Sequence, residues 1–310
     1  MQIRPTGFAL LLVLLAALPA ASPAATLGVS MALFDDNFLT AVRASMQAQA
    51  QQLHVGIQFE DAQNDIGRQL NQVQNFIAQK VDAIIVNPVD TDATPRITRL
   101  VTQAGIPLVY VNRLPGDKQL PAKVSFVGSD ETQSGTLQMV EVCRLLQGKG
   151  DIVILMGELT NQSARQRTQD VFEVIARPQC HGIRVLDKQS ANWKRTEAAD
   201  LVTNWLSAGL KPQAVVANDD EMAIGAIQSL KQAKRLNGTV VAGIDATPDG
   251  LAAMKTGELS ATVFQNAAAQ GAGAVDTALK LARGESVPRF VWVPFELVTP
   301  ANLANYLGRH

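Results

Sequence analysis

The chain has 310 residues, a formal net charge of -1, 47% hydrophobic residues, two cysteines and three histidines. Near-neutral charge offers no basic face for nucleic acid, and His54, His181 and His310 are too scattered to give a metal-ligand spacing. A chain of this length suits two domains of ordinary size, each able to bury its own core.

In chain order, Met1 to Arg4 carries one positive charge, Phe8 to Ala20 is apolar, and Ala21-Ser22-Pro23-Ala24-Ala25 offers small residues for cleavage. This is the pattern of a secretory signal peptide over 1–25, with a mature chain beginning near Ala25 or Thr26. The apolar run is shorter than the ~20 residues a membrane span requires, and no cysteine near the cleavage point suggests a lipid anchor. The expected product is therefore free and soluble outside the cytoplasm. In such a compartment Cys143 and Cys180 can be joined. One falls in a helical pattern and the other in the turn after the next helix, so the sequence leaves the bridge open.

The mature chain then alternates strand and helix. Leu27 to Leu33 reads as a strand, followed by Leu39, Val42, Met46 and Leu53 at helical spacing, and by a strand at Val55 to Phe59. Ile66, Leu70, Val73 and Ile77 make the next helix, and Ala83 to Val86 is a short run of the kind buried on both faces. A third helix leads to Leu108–Val111 and then Val124–Val127.

A second series starts at Gly135, with a helix through Leu146, a break at Gly148-Lys149-Gly150 and a strand at Ile152–Met156. It continues through a helix at Val171 and Val174, strand Ile183–Leu186, a helix around Leu201 and Trp205, strand Val215–Ala217 and its helix, and strand Val240–Ile244. Leu259–Phe264, a long helix Ala267–Arg283 and a last strand Phe290–Val298 complete the chain. Alternation at this spacing predicts an α/β fold with two doubly wound parallel-sheet lobes. Strands left over after both lobes look complete predict that the chain crosses back between them.

Polar residues gather where strands end, which in open α/β sheets is where ligands sit. Asp35-Asp36-Asn37-Phe38 follows the first strand, Asn87-Pro88-Val89-Asp90 the third, and Asn112-Arg113 the fourth. Asn218-Asp219-Asp220, Asp245 to Gly250 and Gln265-Asn266 do the same in the second series. A single Asp or Asn before a helix is ordinarily an N-cap, but three in a row at 218–220 exceed what a cap needs. Carboxylates, amides and guanidinium groups converging on one edge suit a polyhydroxylated ligand, whose hydroxyls each donate and accept.

Four motifs carry a family resemblance: Asn218-Asp219-Asp220-Glu221-Met222-Ala223-Ile224-Gly225-Ala226, Gly243 to Gly250, Val86 to Asp90, and Ser163 to Thr168. Through them the mature chain resembles the periplasmic sugar-binding proteins of ABC transporters, the ribose-binding group with the type I periplasmic binding protein fold. The resemblance implies two lobes joined by a multi-strand hinge, closing on a sugar that is then delivered to a membrane permease. It implies an N-terminal lobe of 26–127 plus 265–290 and a C-terminal lobe of 128–264 plus 291–310, with crossings near 127–130, 263–265 and 289–292. The pocket it implies comprises Asp36, Phe38, Leu39, Asn87, Asn112 and Arg113 from the first lobe, Arg167, Trp193, Asp219 and Asp245 from the second, and Gln265 at the crossing between them. Arg165 competes with Arg167 for one role, and spacing from Asn161 favours Arg167. Trp193 is expected to face the C–H side of a ring.

Departures from the ribose pattern bear on the ligand. Asp36-Asn37-Phe38-Leu39 stands where ribose binders carry Asn-Pro-Phe-Phe, Asn112 where they carry Asp, and Asp219 where they carry Asn. The opening Leu33 to Thr40 is closer to proteins described as inositol- or rhizopine-binding. The expected ligand is a cyclitol such as myo-inositol, with an amino-inositol or an aldose as alternatives, and the expected partner of a monomeric binding protein is an ABC permease or, alternatively, a chemoreceptor or sensor kinase. Enzyme readings fare worse: no glycine-rich turn follows the first strand, and nothing marks a nucleophile elbow. No cofactor or metal is called for. A leader segment at the N-terminus leaves no place for a DNA-binding head.

Overall fold

The computed structural model describes residue 2 and residues 25–309; the expected signal segment falls almost wholly outside the described residues. The first sheet contains β1 (Thr26–Met31), β2 (Gly56–Asp61), β3 (Ala83–Val86), β4 (Leu108–Val111), β5 (Val124–Gly128) and β11 (Phe290–Trp292). Its order is β11-β5-β4-β3-β1-β2, and every pairing is parallel. The second sheet has the order β7-β6-β8-β9, built from β6 (Lys149–Met156), β7 (Gly182–Ser190), β8 (Ala214–Ala217) and β9 (Val240–Ala242). Isolated bridges Ala242–Ala261 and Asp245–Phe264 extend it to β10 (Thr262–Phe264), which pairs antiparallel with β12 (Glu296–Val298). Both sheets therefore reverse strand order beside their first strand, β1 in one and β6 in the other. Each creates a crevice at the carboxyl ends of its strands.

The central strands explain themselves: Ala83–Val86 and Leu108–Val111 are buried at every position, because helices cover both faces of the sheet. On one face of the first sheet α1 (Asn37–Gln52) packs against α9 (Ala267–Ala282), with Val42, Met46, Ala274 and Ala278 in the shared core. Gly271 makes that approach possible, since a Cβ there would lie 2.5 Å from the carbonyl oxygen of Val42. On the other face α2 (Ile66–Gln79) and α3 (Thr94–Gln103) enclose Phe76, Ile84, Tyr110 and Phe126. The second sheet is covered by α4 (Glu131–Leu145) and α5 (Gln162–Ile175) on one side, and by α6 (Arg195–Ser207), α7 (Asp220–Gln232) and α8 (Pro248–Lys255) on the other. Cys143 at the end of α4 is bridged to Cys180 after α5, with Cα atoms 5.7 Å apart.

Three sequence expectations are corrected. Lys149 and Gly150 are not a break but the start of β6, which Gly150 enters with φ 142. The strand expected over Leu259–Phe264 shortens to β10, Leu259 to Ala261 lying outside it. The last strand, read as Phe290–Val298, is two strands in different sheets: β11 pairs with β5, and β12 pairs with β10. The chain leaves the first sheet after Gly128, returns after Phe264 and leaves again after Trp292, so the third crossing lies just beyond 289–292 and residues 291 and 292 belong to the first sheet. A continuous apolar run conceals such a switch, because both halves are equally strand-like; Pro294, which cannot donate to a ladder, is its one local sign.

Candidate ligand-binding site

The two sets of strand ends face one another across a cavity of about 520 Å³, within the ~300–1,000 Å³ usual for small-ligand sites. From the first lobe it is lined by Asp36, Phe38, Leu39, Asn112 and Arg113, and from the second by Arg167, Trp193, Asp219 and Asp245, with Gln265 at the crossing. The lobes touch on several sides: Asn37 Nδ2 donates to Glu221 Oε1 at 2.7 Å, Asn64 Nδ2 to Glu158 Oε1 at 2.8 Å, and Arg165 pairs with Asp92 at 3.1 Å. The cleft is closed, which desolvates its lining.

Helix starts place two of the carboxylates. Asp36 caps α1, its Oδ1 accepting from the Leu39 N–H at 2.7 Å, and Asp219 caps α7, accepting from the Met222 N–H at 2.8 Å. Each spends one oxygen on its helix and keeps the other free of any hydrogen bond among the described residues. Asp245 is held in the left-handed region at φ 116, as are Asn112 at φ 66 and Trp193 at φ 64. Strained backbone of this kind persists only where surrounding structure over-determines it, and it concentrates at ligand clamps. Burial pushes the carboxyls of Asp36, Asp219 and Asp245 up from the usual range, and repulsion from neighbouring carboxylates adds to the effect, Glu221 acting on Asp36, and Asp36 and Asp220 on both Asp219 and Asp245.

The cations answer them unequally. Arg113 is 4% exposed and donates through Nη1 to the carbonyl of Pro88 at 3.0 Å; burial lowers its pKa, while Glu158 and Asp36 oppose that shift. Arg167, also 4% exposed, is committed mainly to its own lobe, with Nη2 also donating to Gln265 Oε1 at the crossing at 3.3 Å. Its Nε and Nη2 grip Glu131 at 2.8 and 3.0 Å, Nη1 donates to the Asn218 carbonyl at 2.7 Å, and Asp245 lies 3.8 Å away. Burial alone would lower its pKa, but Glu131 and Asp245 outweigh burial and raise it. Arg165 sits on the rim with Asp92, so the spacing argument for Arg167 selected the buried guanidinium.

Trp193 lies over Gly157, where any Cβ would strike the indole, and its ring is 5.8 Å from the Arg167 guanidinium carbon. Its Nε1 is buried without a hydrogen-bond partner, as are Gln265 Nε2 and Asn64 Oδ1. Unpaired donors and acceptors around one cavity are costly unless a polar ligand meets them.

Some expected pocket residues serve elsewhere. Asn87 does not line the cavity: its Oδ1 accepts from the Ala32 N–H at 3.3 Å, and its Nδ2 donates to the Val111 carbonyl at 3.2 Å, stitching β1, β3 and β4 together behind Asn112. In the Asn218-Asp219-Asp220 trio only Asp219 faces the ligand space. Asn218 Oδ1 accepts from Gly157 N and Thr168 Oγ1, while Asp220 holds Thr247 N at 2.8 Å and Thr262 Oγ1 at 2.7 Å. Burial raises the Asp220 carboxyl to about 7. Residues missed by sequence reasoning include Asn64, Glu158 and Asn192, all of which line the cavity. Asn64 and Glu158 follow β2 and β6, so their placement at strand ends was an available signal.

A family model described as a periplasmic binding protein domain matches residues 27–286. The chain belongs to the periplasmic binding protein family. It is 57% identical over 293 residues, 94% of this chain and 95% of the relative, to a Rhizobium meliloti protein named for rhizopine binding. It is 29% identical to a ribose import binding protein of Escherichia coli, over 88% of this chain and 90% of that one. Among solved structures, an ABC transporter solute-binding protein of Bacillus halodurans with bound myo-inositol shares 42% identity, with a TM-score of 0.88 over 94% of this chain and 100% of the other. A Caulobacter myo-inositol binding protein bound to myo-inositol shares 26% identity and a TM-score of 0.84, covering 93% and 97%. These relatives are solute-binding proteins rather than enzymes, and the two-lobed type I fold is theirs.

Proposed function

We propose that this sugar-type ABC solute-binding protein captures a cyclitol, with myo-inositol as the reference member, between its lobes and delivers it to an ABC permease. The observation that carries the ligand class is the ring of acceptors, Asp36 and Asp219 with one oxygen each unspent and Asp245 with no side-chain hydrogen bond among the described residues, set against Arg113, the Gln265 amide and the aromatic walls Phe38 and Trp193. A cyclitol presents hydroxyls all around one ring and C–H bonds on its faces, so acceptors suit its rim and Trp193 a face. The two relatives solved with myo-inositol support the choice. In this reading the mature chain acts as a monomer in the periplasm after loss of residues 1–25, with lobes of 26–128 plus 265–292 and 129–264 plus 293–310.

A second reading, an amino-cyclitol, is favoured by charge. Asp36, Asp219, Asp245 and Glu158 line the cavity, while of the lining cations Arg167 is already matched by Glu131, Arg195 by Glu221 and Asp249, and Lys194 by Glu197, leaving Arg113 as the principal answering cation. Thermal shift of the mature protein with myo-inositol, scyllo-inositol, an amino-inositol, ribose, xylose, galactose and glucose tests both. Binding to the native state stabilises it by RT ln(1 + [L]/Kd), so the true ligand at millimolar concentration raises Tm by several degrees. A rise with aldoses alone, or with none of these compounds, refutes the cyclitol assignment.

A further inference from the structure

We propose that Glu158 is a specificity-determining residue, and that with Asn64 it forms a latch through which one substituent of the ligand controls lobe closure. The proposal rests on the reading that this cavity holds a polyhydroxylated ligand. Glu158 lies in the loop after β6, where its placement is fixed: the preceding Gly157 N–H donates to Asn218 Oδ1 at 3.1 Å, and the Glu158 carbonyl accepts from the Asn161 N–H at 3.0 Å. Asn64 belongs to the other lobe, where its N–H donates to the Ala32 carbonyl at 2.8 Å and its backbone is held at φ 55. Two rigid loops thus present a carboxylate and an amide to each other across the cleft.

The hydrogen bond between them orients the amide. Because Asn64 Nδ2 donates to Glu158 Oε1 at 2.8 Å, its Oδ1 is turned away from the carboxylate, and that oxygen is buried without a partner. The second Glu158 oxygen likewise has no hydrogen bond among the described residues, and both side chains line the cavity. Their remaining atoms are acceptors only, so the group they take must bring N–H or O–H donors. A ligand with a donor at that position completes the cross-lobe bond, whereas one lacking it leaves Asn64 Oδ1 buried and unpaired when the lobes close. The other contacts across the cleft differ in kind, among them the Thr91 N–H and hydroxyl, which donate to the Thr160 carbonyl at 3.2 and 3.1 Å. Glu221 is gripped by the Arg195 fork at 3.0 Å through both nitrogens, so its bond to Asn37 is made whatever the ligand. The Asp92–Arg165 pair stands on the rim with side chains 71% and 39% exposed.

The test compares Glu158→Gln, Glu158→Ala, Asn64→Ala and Asp92→Asn with the wild type. Affinities are measured by calorimetry, and release rates by stopped-flow fluorescence, for myo-inositol, scyllo-inositol and an amino-inositol. The expected result is a loss of about 10- to 100-fold for the best ligand in both Glu158 variants and in Asn64→Ala, carried mainly by faster release, together with an altered affinity ratio among the three compounds. Asp92→Asn is expected to shift all three equally. The compounds that lose most show whether the donor is an ammonium or a hydroxyl. Unchanged affinity ratios in the Glu158 and Asn64 variants overturn the latch while leaving the functional reading intact. A wild-type protein that binds none of the three overturns that reading, and the latch with it.

Discussion

Replacing Asp219 by Asn separates the two tasks of one side chain. The residue is 6% exposed and spends Oδ1 on the Met222 N–H at 2.8 Å, which caps α7. An asparagine oxygen keeps that bond, and Asn caps as well as Asp, so the helix start survives. What disappears is the negative charge and the acceptor strength of the other oxygen. A hydrogen bond to a charged acceptor contributes about 1.5–3 kcal/mol, so cyclitol affinity should fall about 10- to 150-fold. Stability should move the other way. Burial raises the Asp219 carboxyl above its unfolded value, with repulsion from Asp36, Asp220 and Glu221 adding to it. The folded state therefore binds a proton more tightly than the unfolded state does. Above the unfolded carboxylate value of about 4 the unfolded chain carries fewer protons, and this group's contribution falls as pH rises. Asp219→Asn removes that penalty, so its stability advantage over the wild type should be absent near pH 4 and grow toward pH 7. Asp219→Ala loses the cap as well, and should sit about 0.5–2 kcal/mol below the Asn variant. Urea unfolding across this pH range, paired with calorimetry, reads both effects. An Asn variant that binds as tightly as wild type removes Asp219 from the site, and one destabilised as much as the Ala variant refutes the division of labour.

Arg167 and Glu131 form a buried pair with side chains 5% and 2% exposed. Either Arg167→Met or Glu131→Gln alone should cost about 3–5 kcal/mol by stranding the other charge, and the double variant should recover part of that loss in chemical unfolding. Independent, additive losses would contradict the pairing. Trp193 forms a wall of the cavity, so ligand should change the intrinsic fluorescence, and Trp193→Phe should lose most of that signal. A signal that survives would assign it to Trp205 or Trp292. The Cys143–Cys180 bridge closes a segment with a sequence separation of 37, for which chain entropy gives a stabilisation of about 3–4 kcal/mol. Thiol titration of the unfolded, unreduced protein should find no free thiol, and a Cys143→Ser/Cys180→Ser variant should show that loss in urea.

The class of parallel, doubly wound sheets was legible in the sequence because fully apolar runs such as Ala83–Val86 alternate with amphipathic helices. The strand switch after Trp292 was not, since pairing partners leave no mark on an apolar strand. In the site, the family resemblance named eleven pocket residues, ten of which line the cavity, whereas the rule that polar residues cluster at strand ends pointed to the right edge but could not tell acceptors from struts. Asn87, Asn218 and Asp220 are short polar side chains like Asp219 and stand at the ends of strands as it does. Their hydrogen bonds go to backbone and threonines behind the cavity, a distinction of direction that residue type does not encode. Glu158 was passed over for the converse reason, because an isolated glutamate after a strand looks like surface until a second lobe closes over it.

The most direct test of the account is isothermal titration calorimetry of the mature protein against the inositols, an amino-inositol and the four aldoses. Micromolar or tighter binding confined to cyclitols is the expected result, with a 1:1 stoichiometry. Tight binding of an aldose with no response to any cyclitol would contradict the account, since the carboxylates on the first loop and on α7 would then be serving a different ring.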